Sequence, residues 1–231
     1  MKIDIGIIGA MEEEVSLLAA SLSDAYTECV SGMKFYIGKL HNKTVAVVKC
    51  GIGKVFAAIA SEAMAIKYSP SLIINTGVGG AIAEGLSTGD IVIADRLVQH
   101  DMDTTPVGDP KGLISGINKI YFDADKRAVS LAKSLADTMG VNAKIGTIAS
   151  GDVFVASCEL KEKISKEFSA SVCEMEGGSI AHVAYVNSIP CCVIRAISDS
   201  ADGEASVDYP TFVKSSSEIS ARLTSMLVKE Y

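Results

Sequence analysis

Residues 72–80 read Leu72-Ile73-Ile74-Asn75-Thr76-Gly77-Val78-Gly79-Gly80. The run Leu72–Asn75 is apolar without alternation, as in a strand buried on both faces. Thr76–Gly80 then reads as a tight glycine turn, where backbone can approach a ligand closely. Cys191–Ser198 has the same character, apolar on both faces apart from Arg195. Such strands need cover on both sides of their sheet, so helices must flank them.

Working outward, strand and helix patterns alternate. Residues 2–9 form an isoleucine-rich strand, and 11–22 a helix with Val15, Leu18 and Leu22 on one face. Met33–Leu40 and Lys43–Cys50 are β-type stretches separated by His41-Asn42, which suits a hairpin. Gly51-Ile52-Gly53 opens a helix at 54–68, with Val55, Ile59, Ala63 and Ile66 at helical spacing, and Pro70 marks its stop. Residues 90–99 form a strand, and 100–120, with Pro106 and Pro110, a long loop. A helix at 123–139, a strand at 143–151, a helix at 157–168 and a β-type stretch ending in Cys173-Glu174-Met175-Glu176 follow. The chain closes with a helix at 177–187, the strand Cys191–Ser198 and a helix at 209–229 bearing Phe212, Ile219, Leu223 and Met226 on one face. The expected fold is one α/β domain over 1–231, three layers in the order α/β/α around a mixed central sheet. Ligands of such folds sit beyond the carboxyl ends of strands.

Composition narrows the function. With 231 residues, a net charge of −7 and a pI near 5.0, the chain is expected to bind neither nucleic acid nor membrane. No apolar run is long enough to span a bilayer, and Asp4 and Glu12–Glu14 interrupt any leader-like start, so a cytoplasmic protein is expected. The six cysteines form no C-x-x-C pair and the three histidines are scattered, so neither disulfides nor a metal site are expected.

The glycine motifs alone say little. Gly6-Ile7-Ile8-Gly9 lacks the third glycine of a dinucleotide fingerprint, and the carboxylates that follow would repel a pyrophosphate. Gly51-Ile52-Gly53-Lys54 is not a phosphate loop, because Val55 stands where Ser or Thr is needed.

The carboxylates say more. Of Glu12, Glu13 and Glu14, only Glu14 has leucines, Leu17 and Leu18, three and four residues on. It is therefore the candidate for a buried general base, against the alternative of three solvated charges at a helix start. Glu174 and Glu176 share a face if extended, with Met175 opposite, and paired acids can bind sugar hydroxyls; helix capping is the alternative. Asp199 ends an apolar strand, where a charge needs a partner or a task. Here too a capping role, for Ser198 or Asp199, is the alternative.

Six segments in order, IIGAMEEE, KCGIGKV, IINTGVGG, SGDVF, CEMEG and IRAISD, resemble the 5′-methylthioadenosine/S-adenosylhomocysteine nucleosidases, whose fold is purine nucleoside phosphorylase-like. The resemblance covers essentially the whole chain. It implies hydrolysis of the N-glycosidic bond of an adenine nucleoside without cofactor or metal. Glu14 would activate a water for attack on the anomeric carbon, and Asp199, positioned by Ser198, would protonate adenine N7. Glu176 would bind the ribose hydroxyls and Met175 would pack on the sugar. Phe154 and the backbone of Val155 would hold adenine, with Arg195 and Tyr209 near the pocket. The resemblance also implies a homodimer in which loop 100–113 completes the partner's pocket. Val78 departs from the family's usual serine beside the sugar, and Gly79 from its usual alanine.

Two rivals remain at this level. A phosphorylase of the same fold would need cations for phosphate, and none of the four arginines, Arg96, Arg127, Arg195 and Arg222, lies near GAMEEE or NTGVGG. The other rival is a non-catalytic adenosine-binding module, to which the loss of a hydroxyl at Val78 lends support and retention of all three carboxylates does not.

Overall fold

The structure is a computed structural model that describes residues 2–231. Its strands are β1 (Ile5–Gly9), β2 (Ser23–Val30), β3 (Met33–Leu40), β4 (Lys43–Lys49), β5 (Leu72–Ala81), β6 (Ile91–Gln99), β7 (Tyr121–Asp123), β8 (Ala143–Ser150), β9 (Ala170–Glu174) and β10 (Cys191–Asp199). Its helices are α1 (Glu12–Ala20), α2 (Lys54–Tyr68), α3 (Lys126–Thr138), α4 (Cys158–Phe168), α5 (Gly177–Val186) and α6 (Ala205–Glu230).

All ten strands join one mixed sheet, in the order β10-β6-β8-β9-β5-β1-β4-β3-β2, with β7 on β6. β10 also pairs with β5, so β5, β10, β6, β8 and β9 close into a five-stranded ring. β5 makes this possible by its length. Its first half lies between β1 and β10, and Gly80 and Ala81 at its end pair with Cys173 and Val172 of β9.

Side-chain alternation along β1 feeds two cores. Ile5 and Ile7 join Val15 and Leu18 of α1, Ala128 and Ala132 of α3, and Leu223 and Leu227 of α6. Ile8 points the other way, into a core shared with Ala57, Ala60, Met64 and Tyr68 of α2 and Ile180 of α5. The three-layer expectation therefore holds. Each fully buried aliphatic side chain contributes roughly 1.5–3 kcal/mol by leaving water.

Five features correct the reading of the sequence. Thr76–Gly80 is not a turn: β5 runs through it, and none of its glycines has a positive φ. The glycines serve close packing instead. A Cβ at Gly79 would lie 2.5 Å from Val172 Cγ1, and one at Gly80 2.8 Å from Asp199 Oδ1. β2 is an additional edge strand, and β7 is a further short strand directly after the loop expected at 100–120. α6 begins at Ala205 and carries Pro210 within it, whereas a start near Tyr209 would have put that proline in the first turn. In α2, the stripe Val55, Ile59 and Ile66 faces outward at 69%, 40% and 72% exposure, while small residues and Met64 face the sheet.

Candidate active site

The carboxyl ends of β1, β5, β8, β9 and β10, with their following loops, surround a cavity of about 340 Å³. Its walls include Met11, Glu14, Ile52, Val78, Phe154, Val155, Met175, Glu176, Ser198, Asp199 and Tyr209. None of its lining residues is Lys, Arg or His.

Glu14 sits in the first turn of α1 and is buried, whereas Glu12 and Glu13 are exposed and Glu12 pairs with Lys49 at 3.1 Å. Its Oε2 accepts hydrogen bonds from the amides of Ala10 at 2.6 Å and Met11 at 3.0 Å, and its Oε1 from Val78 N at 3.1 Å. A helix start and an adjacent strand thus point their amides at a carboxylate that belongs to the protein itself. Burial raises the Glu14 pKa, and the Arg195 charge and these three amides offset that only in part. Gly77 makes the room: a Cβ there would fall 2.4 Å from Glu14 Oε1.

Asp199 ends β10, 3% exposed. Ser198 Oγ donates to its Oδ2 at 2.8 Å and Ala201 N to its Oδ1 at 2.9 Å. It caps no helix, since α6 starts six residues later with Glu204 at its cap. Burial raises its pKa beyond what these two donors lower.

Glu174 and Glu176 do not act as a matched pair. β9 stops at Glu174, and Glu176 takes φ −132° and ψ −42°, so the two carboxylates leave the extended register that would put them on one face. Glu174 is bound from all sides by Arg195 Nη2, Ser150 Oγ and the amides of Glu176 at 3.0 Å and Gly177 at 2.7 Å. Burial would raise its pKa, but Arg195 and these donors hold it below the ordinary carboxylate value. Glu176 accepts Gly53 N at 2.8 Å and lies 3.9 Å from Arg195 Nη2. Burial first, and the Glu174 charge second, raise its pKa.

Arg195, expected near the pocket, stands next to it but behind its wall. It is 1% exposed and does not line the cavity. Its guanidinium lies behind the wall, spent on Glu174 and on Asn75 Oδ1 at 2.5 Å. Asn75, in turn, donates to Ile8 O at 2.9 Å. Sequence reasoning missed Asn75 and Ser150; the one available signal was a lone amide in the apolar run Leu72–Asn75.

The other expected residues come together at the cavity. Val155 is buried, Met175 half-buried, and Phe154 45% exposed at the mouth. The Phe154 ring meets Tyr209 edge-on at 5.5 Å between centroids, and Tyr209 Oη donates to Met11 Sδ at 2.9 Å. Val78 presents an apolar side chain to the cavity, and its amide serves Glu14. Among the described residues no group of three or more His, Cys, Asp or Glu is placed to hold a metal ion, and no helix is long and apolar enough to cross a membrane.

The family model of the phosphorylase superfamily matches residues 4–231. The chain is 39% identical over 226 residues to a 5′-methylthioadenosine/S-adenosylhomocysteine nucleosidase of Staphylococcus haemolyticus, covering 97% of this chain and 99% of that one. It is 38% identical over 227 residues to the Staphylococcus aureus protein of the same name, covering 98% and 99%. Among solved structures, the Neisseria meningitidis nucleosidase in complex with methylthio-immucillin-A superposes with a TM-score of 0.96 at 33% identity, over 99% of both chains. The futalosine hydrolase of Helicobacter pylori superposes with a TM-score of 0.95 at 37% identity, over 99% of this chain and 98% of that one.

Proposed function

The chain belongs to the phosphorylase superfamily and, within it, to the 5′-methylthioadenosine/S-adenosylhomocysteine nucleosidases, and from that premise we propose how its cavity works. The enzyme hydrolyses the N-glycosidic bond of 5′-methylthioadenosine and S-adenosylhomocysteine, releasing adenine and the thio-sugar. Glycosidic cleavage passes through an oxocarbenium-like state and is served by two carboxyl groups in opposite protonation states. Ionised Glu14 takes a proton from the attacking water. Neutral Asp199, held by Ser198 and Ala201 N, gives its proton to adenine N7, so the base leaves uncharged. Glu176 accepts the ribose hydroxyls, Met175 packs against the sugar, and Phe154 and Val155 hold the base. Arg195 acts from behind, neutralising Glu174 so that the wall does not carry three uncompensated charges.

One observation carries the choice of water over phosphate as the attacking group. The amides of Ala10, Met11 and Val78 already hold the Glu14 carboxylate, and no cation lines the cavity. A phosphate there would meet a negative charge and find no donor free among these three amides. Purified Glu14→Gln and Asp199→Asn proteins test the assignment by adenine release from 5′-methylthioadenosine. Each is expected to be folded and slower by about 10²-fold or more. Wild-type turnover in either removes the role given to that residue.

The likeness to futalosine hydrolase supports a second substrate, a futalosine-type adenine nucleoside, cut by the same residues; competition between it and 5′-methylthioadenosine ranks the two. The functional unit is a homodimer in which loop 100–113 completes the partner's pocket. The support is the outward apolar stripe of α2, the exposed Ile52 and Phe154 at the cavity mouth, and Val107, 80% exposed on that loop.

A further inference from the structure

Two loops contribute to the cavity wall, 50–53 after β4 through Ile52 and 151–155 after β8 through Val153, Phe154 and Val155, and a closed ring of polar contacts ties them to each other and to Asp101, just after β6. Lys54 N donates to Asp152 Oδ1 at 2.7 Å, and Asp152 N donates to Asp101 Oδ2 at 2.9 Å. Lys54 Nζ completes the ring on Asp101 Oδ1 at 2.6 Å and reaches Gln99 Oε1 at 3.4 Å. The ion pair is shielded, with 19% of the Lys54 side chain and 24% of the Asp101 side chain exposed. That sets it apart from open surface pairs, which hold little geometry. The Lys54 backbone is pinned from its other side by Ser179 Oγ, which donates to Lys54 O at 2.8 Å.

None of Lys54, Asp101 and Asp152 lines the cavity. Two of them adjoin groups that do the work there. Gly53, next to Lys54, gives its amide to Glu176 Oε1. Val153, next to Asp152, begins the wall Val153-Phe154-Val155. Gly53 itself has φ +101°, and a Cβ on it would lie 3.0 Å from Asp152 Oδ1, so the loop is drawn down onto Asp152. Arg195 Nη2 stands 3.9 Å from Glu176 Oε2, beyond hydrogen-bond reach, whereas the Gly53 amide donates to Oε1 at 2.8 Å and so fixes that oxygen's direction. A hydrogen bond weakens steeply with misalignment, so a loop free to drift would leave Glu176 unaimed.

We propose that Asp101 is a positioning residue for ribose recognition: through Lys54 and Asp152 it holds the Gly53 amide on Glu176. The inference rests on the reading of Glu176 as the ribose-binding carboxylate. It extends the site to a residue outside the cavity, with a role separable from catalysis of bond cleavage. Binding of the hydroxyls acts on substrate and transition state alike, so its loss raises KM and leaves kcat.

The test compares 5′-methylthioadenosine with its 2′,3′-dideoxy counterpart, which lacks the hydroxyls that Glu176 would accept. For Asp101→Asn the expected result is a KM for 5′-methylthioadenosine raised about tenfold with kcat within about twofold. The Ki of the dideoxy compound, as a competitive inhibitor of that hydrolysis, should stay within about twofold of wild type. Lys54→Met breaks the same ring from its other side and should give the same split, which keeps the test open if the first variant fails to fold. An unchanged KM overturns the proposal. So does an equal rise in KM and in the dideoxy Ki, which would make the ring a general support of the pocket. A wild-type protein that releases no adenine would instead refute the hydrolase reading, and the affinities of adenosine and 2′,3′-dideoxyadenosine would then decide the ring's role by the same comparison.

Discussion

Arg195 Nη2 pairs directly with Glu174 and stays 3.9 Å from Glu176, two residues further on. One guanidinium thus divides two adjacent acids into a neutralised structural group and a carboxylate left available at the cavity. The Glu174 pair is buried on both sides, at 2% exposure for each side chain. Breaking such a pair from one side leaves an uncompensated buried charge, at about 3–5 kcal/mol. Arg195→Met and Glu174→Gln should therefore each lower the urea midpoint strongly, and Arg195→Met more so, because it strands the carboxylate. The double variant should recover much of the loss. Additive losses would show that the pair is not the reason for the burial.

Gly77 has a different consequence. The atom that a Cβ would strike is the far end of the Glu14 side chain, not backbone. Gly77→Ala should therefore leave the unfolding midpoint close to wild type while kcat/KM for 5′-methylthioadenosine falls by about 10²-fold, the usual contribution of a placed general base. A variant with full activity would mean that Glu14 needs no fixed position.

The acids also set a pH dependence. Burial raises the pKa values of Glu14 and Asp199 above their ordinary range. With Glu14 as the proposed base, kcat/KM should fall as pH drops through the Glu14 value, with Glu176 contributing to the same limb. With Asp199 as the proposed acid, kcat/KM should fall as pH rises through the Asp199 value, and the residual activity of Asp199→Asn should lose that alkaline limb. Stability follows in step. The folded pKa of Asp199 is raised, so its contribution is complete below the unfolded value near 3.8 and is lost as pH rises through the folded value. An asparagine can accept Ala201 N and donate to Ser198 Oγ without a charge. The melting temperature of Asp199→Asn relative to wild type should therefore rise between pH 4 and pH 8; a constant difference would mean that Asp199 pays no penalty for ionising.

The outward stripe of α2 bears on assembly. Ile59→Glu places a charge among Val55, Phe56 and Ile66, all exposed in one chain. Sedimentation velocity should find a dimer for the wild type and a monomer for the variant, with KM raised because loop 100–113 no longer reaches a neighbouring pocket. An unaltered dimer would move the interface elsewhere.

These relations mark what could be read from sequence and what could not. The inward turn of Glu14 was legible through Leu18, which is buried with it on α1, but not through Leu17, the other leucine of that pattern, which is 46% exposed. So was the isolation of Asp199 at the end of an apolar strand. The Arg195–Glu174 pair was not. It depends on β9 and β10 lying on either side of β5, and strand order leaves no mark on local pattern. Thr76–Gly80 reads locally as a turn because glycine suits turns. Its glycines are there because Glu14, Val172 and Asp199 crowd the strand, and that is a tertiary fact. The Val55, Ile59, Ile66 stripe shows the limit of periodicity. Spacing finds an apolar face but does not say whether the sheet or another chain covers it. β2 escaped because its residues are mostly exposed and lack apolar alternation.

Water rather than phosphate should attack the sugar, because the Glu14 carboxylate already occupies the amides that would hold an anion. The most direct measurement is adenine release from 5′-methylthioadenosine in phosphate-free buffer and again in phosphate, with the sugar product identified by mass. We expect equal rates in the two buffers and free 5-methylthioribose in both. Turnover that requires phosphate and yields the sugar 1-phosphate would contradict the account.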